Sequence, residues 1–221
     1  MKKNLFRVSL FVVLATLISC SGDNDVEKTT EFNQTLSNNE INYETLSENQ
    51  DFVSLIEEMA LYSTELKTVI LKNNLVQEEL TSRINDIQNN NLSPEQQLKE
   101  INKVFNFDVT KFTLNHEHKY KFYLNRLNIK IEEVPFDVLE HEINQVLSNK
   151  TDGSSIGSGG DCDYRYYLCM GGVYAVAITC HATCDSAAVL GTAGTALPVC
   201  FLACGTAAAY GSVLCSDNHC K

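Results

Sequence analysis

Positive charge is in short supply: 17 Lys and Arg stand against 28 Asp and Glu, a formal net charge of −11. A surface of that sign does not seek nucleic acid or anionic lipid headgroups, so neither is expected as a partner. Catalytic signatures are missing as well. The sequence holds no Ser or Cys nucleophile motif, no phosphate-binding glycine loop and no His-Glu-x-x-His helix. No catalytic residue, cofactor or metal site is assigned, and an enzyme is not expected. There is no repeat at solenoid periods. Near the N-terminus, the apolar run from Leu10 to Ile18 is far shorter than the ~20 residues a membrane-spanning helix needs. Charge of either sign is absent from Ser186 to Ser216, and from Tyr166 to Cys184 apart from any carried by His181.

What is present at the N-terminus sets the compartment. Lys2, Lys3 and Arg7 precede the short apolar run, which reads as a signal peptide over residues 1–19. The run closes on Leu17-Ile18-Ser19-Cys20, which resembles the bacterial lipobox: an aliphatic residue three before the cysteine, a small residue just before it, and the thiol that receives diacylglycerol. The resemblance implies lipidation at Cys20, with palmitate-type acyl chains that hold the mature protein on a membrane. Ser21-Gly22-Asp23-Asn24-Asp25 is similar to the acidic surface-export tracts of some Gram-negative lipoproteins. The expected location is the cell envelope, at the outer membrane or cell surface. Residues 20–39 are polar and acidic with little to bury, so a disordered tether is expected there. Without Lys2, Lys3 and Arg7 the mature chain has 14 basic against 28 acidic residues.

Residues 40–149 carry helical periodicity. Phe52, Ile56, Met59, Ser63, Leu66 and Ile70 recur at three and four residues, one helical stripe after a cap at Ser47. Val76, Leu80, Ile84 and Ile87 continue the pattern. Ser93-Pro94-Glu95-Gln96 is a helix start with a capping box. Val109, Phe112, His116, Tyr120, Tyr123 and Leu127 form a further stripe, and Phe136, Leu139, Ile143 and Val146 face inward after Pro135. Four or five such stripes predict a small helical bundle. His116-Glu117-His118 offers two imidazoles, but residues two apart on a helix point to different sides and do not share one metal. The expectation is a solvated face with His116 half-buried, and surface carboxylates. Residues 150–160, ending Gly159-Gly160, read as a flexible linker.

The remaining cysteines organise residues 161–221. Of nine in the chain, assigning Cys20 to lipid leaves eight, at 162, 169, 180, 184, 200, 204, 215 and 220. An even cluster in an exported chain reads as a disulfide framework. Zinc is the competing use, yet Cys180/Cys184 and Cys200/Cys204 sit among Ala, Val and Leu. The gaps Cys169–Cys180–Cys184 are eleven and four, and Cys200–Cys204–Cys215 reverses them to four and eleven. Both steps return to nearly the same helical face, so each triplet is one stripe. The triplets mirror each other about Thr192, inside Gly191-Thr192-Ala193-Gly194, where a chain reversal belongs. Pro198 follows where a second helix can begin. An antiparallel helical hairpin results, with rungs Cys184–Cys200, Cys180–Cys204 and Cys169–Cys215, and with Cys162–Cys220 joining the ends. The fold class is thus mostly α: a helical bundle followed by a small disulfide-stapled hairpin. So many apolar side chains cannot hide inside two helices, and the bundle, another copy or a membrane must cover them. Gly171, Gly172, Ala175, Ala187, Gly191, Ala203, Ala207 and Gly211 would let helices approach closely.

An N-terminal helical region, a joint at Gly159-Gly160, and a tail carrying Cys180-x3-Cys184, Pro198 and Cys200-x3-Cys204 together resemble cysteine-rich bacteriocin precursors of the halocin type. The resemblance covers about residues 161–221. It implies an antimicrobial tail, a preceding region that can serve as its immunity protein, and Gly159 and Gly160 as a processing site. Two function classes follow. One is a lipoprotein-anchored, bacteriocin-like precursor whose tail is shielded by the bundle and acts on a target membrane or receptor. The other is an anchored cell-surface interaction or structural protein whose stapled hairpin is a rigid binding platform.

Overall fold

In the computed structural model the residues described are 43–90, 92–149, 162–189 and 196–220. The signal peptide, Cys20, the tether, Gly159, Gly160 and the Gly191–Gly194 reversal lie outside them. A 3-10 turn over Tyr43–Glu48 leads into α1 (Gln50–Lys72), α2 (Gln77–Asn89), α3 (Pro94–Phe105) and α4 (Val109–Leu127). A second 3-10 turn, Ile131–Glu133, precedes α5 (Phe136–Asn149), and the hairpin is α6 (Tyr164–Val189) with α7 (Ala196–His219). Among the described residues there is no strand, only an isolated antiparallel bridge between Cys162 and Cys220. The chain is mostly α, a bundle with a stapled hairpin.

Local chemistry places the helix ends. Ser93 Oγ accepts from the Gln96 backbone N–H while the Gln96 side chain accepts from the Ser93 N–H, the reciprocal box that the sequence predicts, with Pro94 in the first turn. Asn74, Asn106 and Asn128 have φ of 51°, 48° and 52°, the left-handed region that asparagine tolerates best after glycine. Ser47 is not the cap of α1: Asn49 holds that position, its side chain accepting from the N–H groups of Asp51 and Phe52. The Ser47 N–H instead donates to Glu142 Oε2 at 2.7 Å and its hydroxyl donates to Gln145 Oε1 at 2.9 Å, which ties the entry turn to α5. Val76 precedes α2 and is exposed, so the buried stripe there is Leu80, Ile84 and Ile87. Phe136, the first residue of α5, is exposed, whereas Leu139, Ile143 and Val146 face in.

Two apolar clusters make the core. The first joins Phe52, Leu55, Ile56 and Met59 of α1, Tyr120 of α4 and Leu139, Ile143 and Val146 of α5 to Tyr174, Ile178 and Phe201 of the hairpin. The second gathers the C-terminal half of α1, α2, α3 and Val109 around Val199, Leu202 and Ala209 of α7. The hairpin thus contributes to both clusters, and α7 belongs to each.

The seam between bundle and hairpin as candidate functional site

The hairpin is tied in four places. Cys184–Cys200, Cys180–Cys204 and Cys169–Cys215 bridge α6 to α7 with Cα separations of 5.8, 5.8 and 5.7 Å, and Cys162–Cys220 closes the open end. These are the pairs that the mirrored spacing predicts. The two inner bridges stack, with Cys184 Sγ 3.6 Å from Cys204 Sγ. The Cys180, Cys184 and Cys204 sulfurs lie within 4.8 Å of one another because of that stacking, and each is bonded to its partner cysteine. At the open end Asp163 Oδ1 accepts from the Arg165 and Tyr166 N–H groups and starts α6.

Small residues let the bundle come close. A Cβ on Gly205 of α7 would overlap the Tyr62 ring of α1, and one on Gly171 of α6 would overlap the Asn144 side chain of α5. Gly211 faces Val173 within the hairpin itself. Polar ties reinforce the contact: Tyr120 Oη donates to Ile178 O at 3.0 Å, Tyr210 Oη donates to Leu75 O at 3.0 Å, and Lys121 Nζ pairs with Asp185 at 2.9 Å.

At the centre of the seam sit two histidines that belong to different helices. The His116 ring of α4 stacks on Tyr62 at 3.8 Å with the planes 2° apart, and the His181 ring of α6 stacks on Phe201 of α7 at 4.4 Å. The two imidazole centroids are 5.2 Å apart. Tyr120 closes the group edge-on to His181 and Phe201 at 5.3 and 5.5 Å. All five rings are buried. His116 is therefore not half-buried on a solvated face; the hairpin covers it, leaving it 1% exposed. His118 is exposed on another side of α4, so the two imidazoles of the His-Glu-His run do not converge.

Their partners fix which nitrogen of each ring carries the proton. His116 Nδ1 lies 3.2 Å from Glu58 Oε1, a carboxylate oxygen that only accepts, so Nδ1–H donates and Nε2 is left bare. His181 Nε2 lies 3.1 Å from the Phe201 carbonyl, so Nε2–H donates and Nδ1 is left bare. Neither bare nitrogen has a hydrogen-bond partner among the described residues. Burial pushes the His116 imidazole below its ordinary value, more than the neighbouring Glu58 draws it back. Burial pushes the Glu58 carboxyl upward, but its bonds to His116 and to Lys119 Nζ at 2.9 Å outweigh this and hold it below the usual range. Not every carboxylate is on the surface: Glu142 and Glu117 are buried as well, the first holding the Ser47 N–H and the second pairing with Lys121.

No family model, curated protein or solved structure matches the chain. Function must therefore be read from its own chemistry. Among the described residues two helices are long and apolar enough to cross a membrane, the 22-residue segments Tyr164–Asp185 and Pro198–His219. Both belong to the hairpin, and over half of each is buried within the fold. On the uncovered side Tyr164, Leu168 and Leu214 are exposed. The four disulfides are compatible with an extracellular setting.

The sequence pattern identified the bridging cysteines but not the histidine centre. Its members lie 65 positions apart, on an amphipathic helix and an apolar one, and no local spacing connects them. The one signal was that His181 interrupts an otherwise uncharged stretch.

Proposed function

We propose that the chain is a surface or periplasm-facing lipoprotein of bacteriocin-like type, which stores a membrane-active hairpin under the cover of its own bundle. The observation that carries this reading is the pairing of two membrane-length helices, stapled to each other and more than half buried within the fold. Their charges fit the reading. Asp163, Arg165 and Asp217 collect at the open end and Asp185 lies toward the other, leaving Tyr166–Cys184 and Ser186–Ser216 without Asp, Glu, Lys or Arg between them. With acidic groups outnumbering basic ones, entry into lipid would rest on apolar area rather than on attraction to anionic headgroups. At about 25 cal/mol per Å², uncovering even ~400 Å² of apolar surface costs on the order of 10 kcal/mol in water, a cost that lipid removes. Lipid on Cys20 would hold the stored form at the cell envelope.

A specific protease site replacing Gly159-Gly160 tests this in the full mature chain carrying Cys20→Ser. After cleavage the two pieces should remain together in dilute buffer, and phosphatidylcholine liposomes should draw the oxidised 161–221 piece away. A mass near that of residues 161–221 in culture supernatant would show release in the cell. The shared first core, in which Tyr174 and Phe201 are buried among bundle side chains, favours the second reading, a permanent anchored binding platform. On that reading the cleaved piece stays with the bundle in the presence of liposomes.

A further inference from the structure

The two bare imidazole nitrogens at the seam suggest how the stored hairpin is held. We propose that His116 and His181 form an acid-sensitive latch, in which protonation at His116 Nε2 and His181 Nδ1 separates the hairpin from the bundle and frees it for lipid. This rests on the reading of the hairpin as membrane-active. The geometry carries it: one histidine belongs to the cover and the other to the covered element, with 5.2 Å between ring centroids. A proton added to either ring enters at the nitrogen that has no acceptor, and a second proton places two cations side by side.

Burial opposes that charge more strongly than the carboxylates near His116 favour it, and His181 has no carboxylate partner of its own among the described residues. From α1, Glu58 and Tyr62 face it, and Glu58 is already engaged by Lys119 and by His116 Nδ1. From α4 come Glu117, Lys119, Tyr120 and Lys121; Glu117 Oε1 pairs with Lys121, which also pairs with Asp185 of α6, while Glu117 Oε2 is buried without a hydrogen-bond partner among the described residues and favours a charge on His116. From α7 the pair meets the Phe201 ring and carbonyl, and the carbonyl already accepts from His181. His118 and His141 are exposed and His219 stands by Asp163 at the open end, so none of the three lies in the seam. A histidine that is neutral when buried and free to charge when uncovered stabilises the closed form fully above about pH 6.5 and progressively less below it. Each pH unit below that point raises the open population about tenfold per histidine, up to ~100-fold for two, until the buried value is reached. Carboxylates add their own loss only below about pH 4.5, which leaves a window for the histidines alone.

The latch cannot act by parting α6 from α7, because the bridges hold them together. Opening is movement of the stapled pair as one body away from the bundle, out of both apolar clusters.

The test uses the full mature chain with Cys20→Ser, oxidised, between pH 7.5 and 5.0. Binding of an apolar-surface dye without lipid reads opening; release of sulforhodamine B from phosphatidylcholine vesicles reads membrane action. The comparison is the pair His116→Asn and His181→Gln, whose amides keep the donors to Glu58 and to the Phe201 carbonyl but do not titrate. Dye binding and release that rise at least tenfold below pH 6.5 in the native sequence and stay flat in the variant are expected. The same rise in both proteins, or none in the native one, overturns the latch. A rise in dye binding without release upholds the latch and removes the membrane reading; equal release at both pH extremes with flat dye binding does the reverse. If the variant lacks native circular dichroism at pH 7.5, proton NMR of the native chain decides. His116 and His181 that charge between pH 6.5 and 5.0 while the Tyr120 and Phe201 ring signals stay in place overturn the proposal.

Discussion

Gly205→Ala should destabilise this protein, although glycine in a helix interior ordinarily costs about 1 kcal/mol relative to alanine. Gly205 lies within α7 against α1, and a Cβ there would overlap Tyr62 Cε1 and lie 2.8 Å from Leu66 Cδ1. Neither neighbour can yield cheaply. Tyr62 is buried, its hydroxyl bonded to Thr113 Oγ1 at 3.0 Å and its ring stacked on His116, and Leu66 is fully buried. Overpacking at such a place costs roughly 3 kcal/mol, and the ~1 kcal/mol gained in helix propensity leaves a net loss of about 2 kcal/mol. For a fold of this size that corresponds to a melting temperature about 4–8 °C lower. Gly172→Ala is the control. Its Cβ would first meet Glu140 Oε1 at 3.1 Å, the movable end of a long side chain, so stability should hold or rise by up to ~1 kcal/mol. Calorimetry of the oxidised protein, with denaturant unfolding to confirm the sign, makes the comparison. Gly205→Ala melting at or above the native temperature would refute the close approach of α7 to α1.

Further outcomes follow from the same geometry. Replacing Cys169 and Cys215 together by Ala opens a bridge spanning 46 positions and should cost about 2–4 kcal/mol, read by denaturant unfolding. Peptide mapping of the oxidised chain should recover the four cross-helix pairs, and a Cys180–Cys184 or Cys200–Cys204 bridge would contradict the hairpin. Glu142→Leu removes the acceptor of the Ser47 N–H and should cost about 1–3 kcal/mol, with proteolysis near the 3-10 turn rising first. Cys20→Ala should abolish incorporation of a labelled lipid precursor; a native chain that takes up no label would remove the lipidation reading.

Regular spacing made the hairpin legible. A cysteine stripe that reverses its own intervals admits one antiparallel register, and the bridges occupy it. Periodicity likewise marked Phe52, Met59, Leu66 and Ile70 as core, because a helix repeats its inward face whatever lies opposite. Spacing fails where the environment comes from another part of the chain. Glu142 reads as a surface carboxylate until Ser47 of a distant turn approaches it, and His116 reads as half-solvated until α6 and α7 cover it. Phe136 and Val76 show the reverse: both fit an apolar stripe, but each lies where a helix begins and is exposed. Ser47 lost the cap to Asn49, two residues on, a choice that local preference alone does not make.

The order of elements along the chain has a consequence for biogenesis. The helices that cover the hairpin, α1 to α5, all precede α6 and α7. A chain that emerges N-terminus first completes the acceptor surface before the apolar pair arrives, which shortens the time during which that pair can misassemble with other chains. Moving residues 162–220 ahead of the bundle by circular permutation would keep the same final contacts while reversing that schedule, so aggregation during folding should increase although the folded product is unchanged.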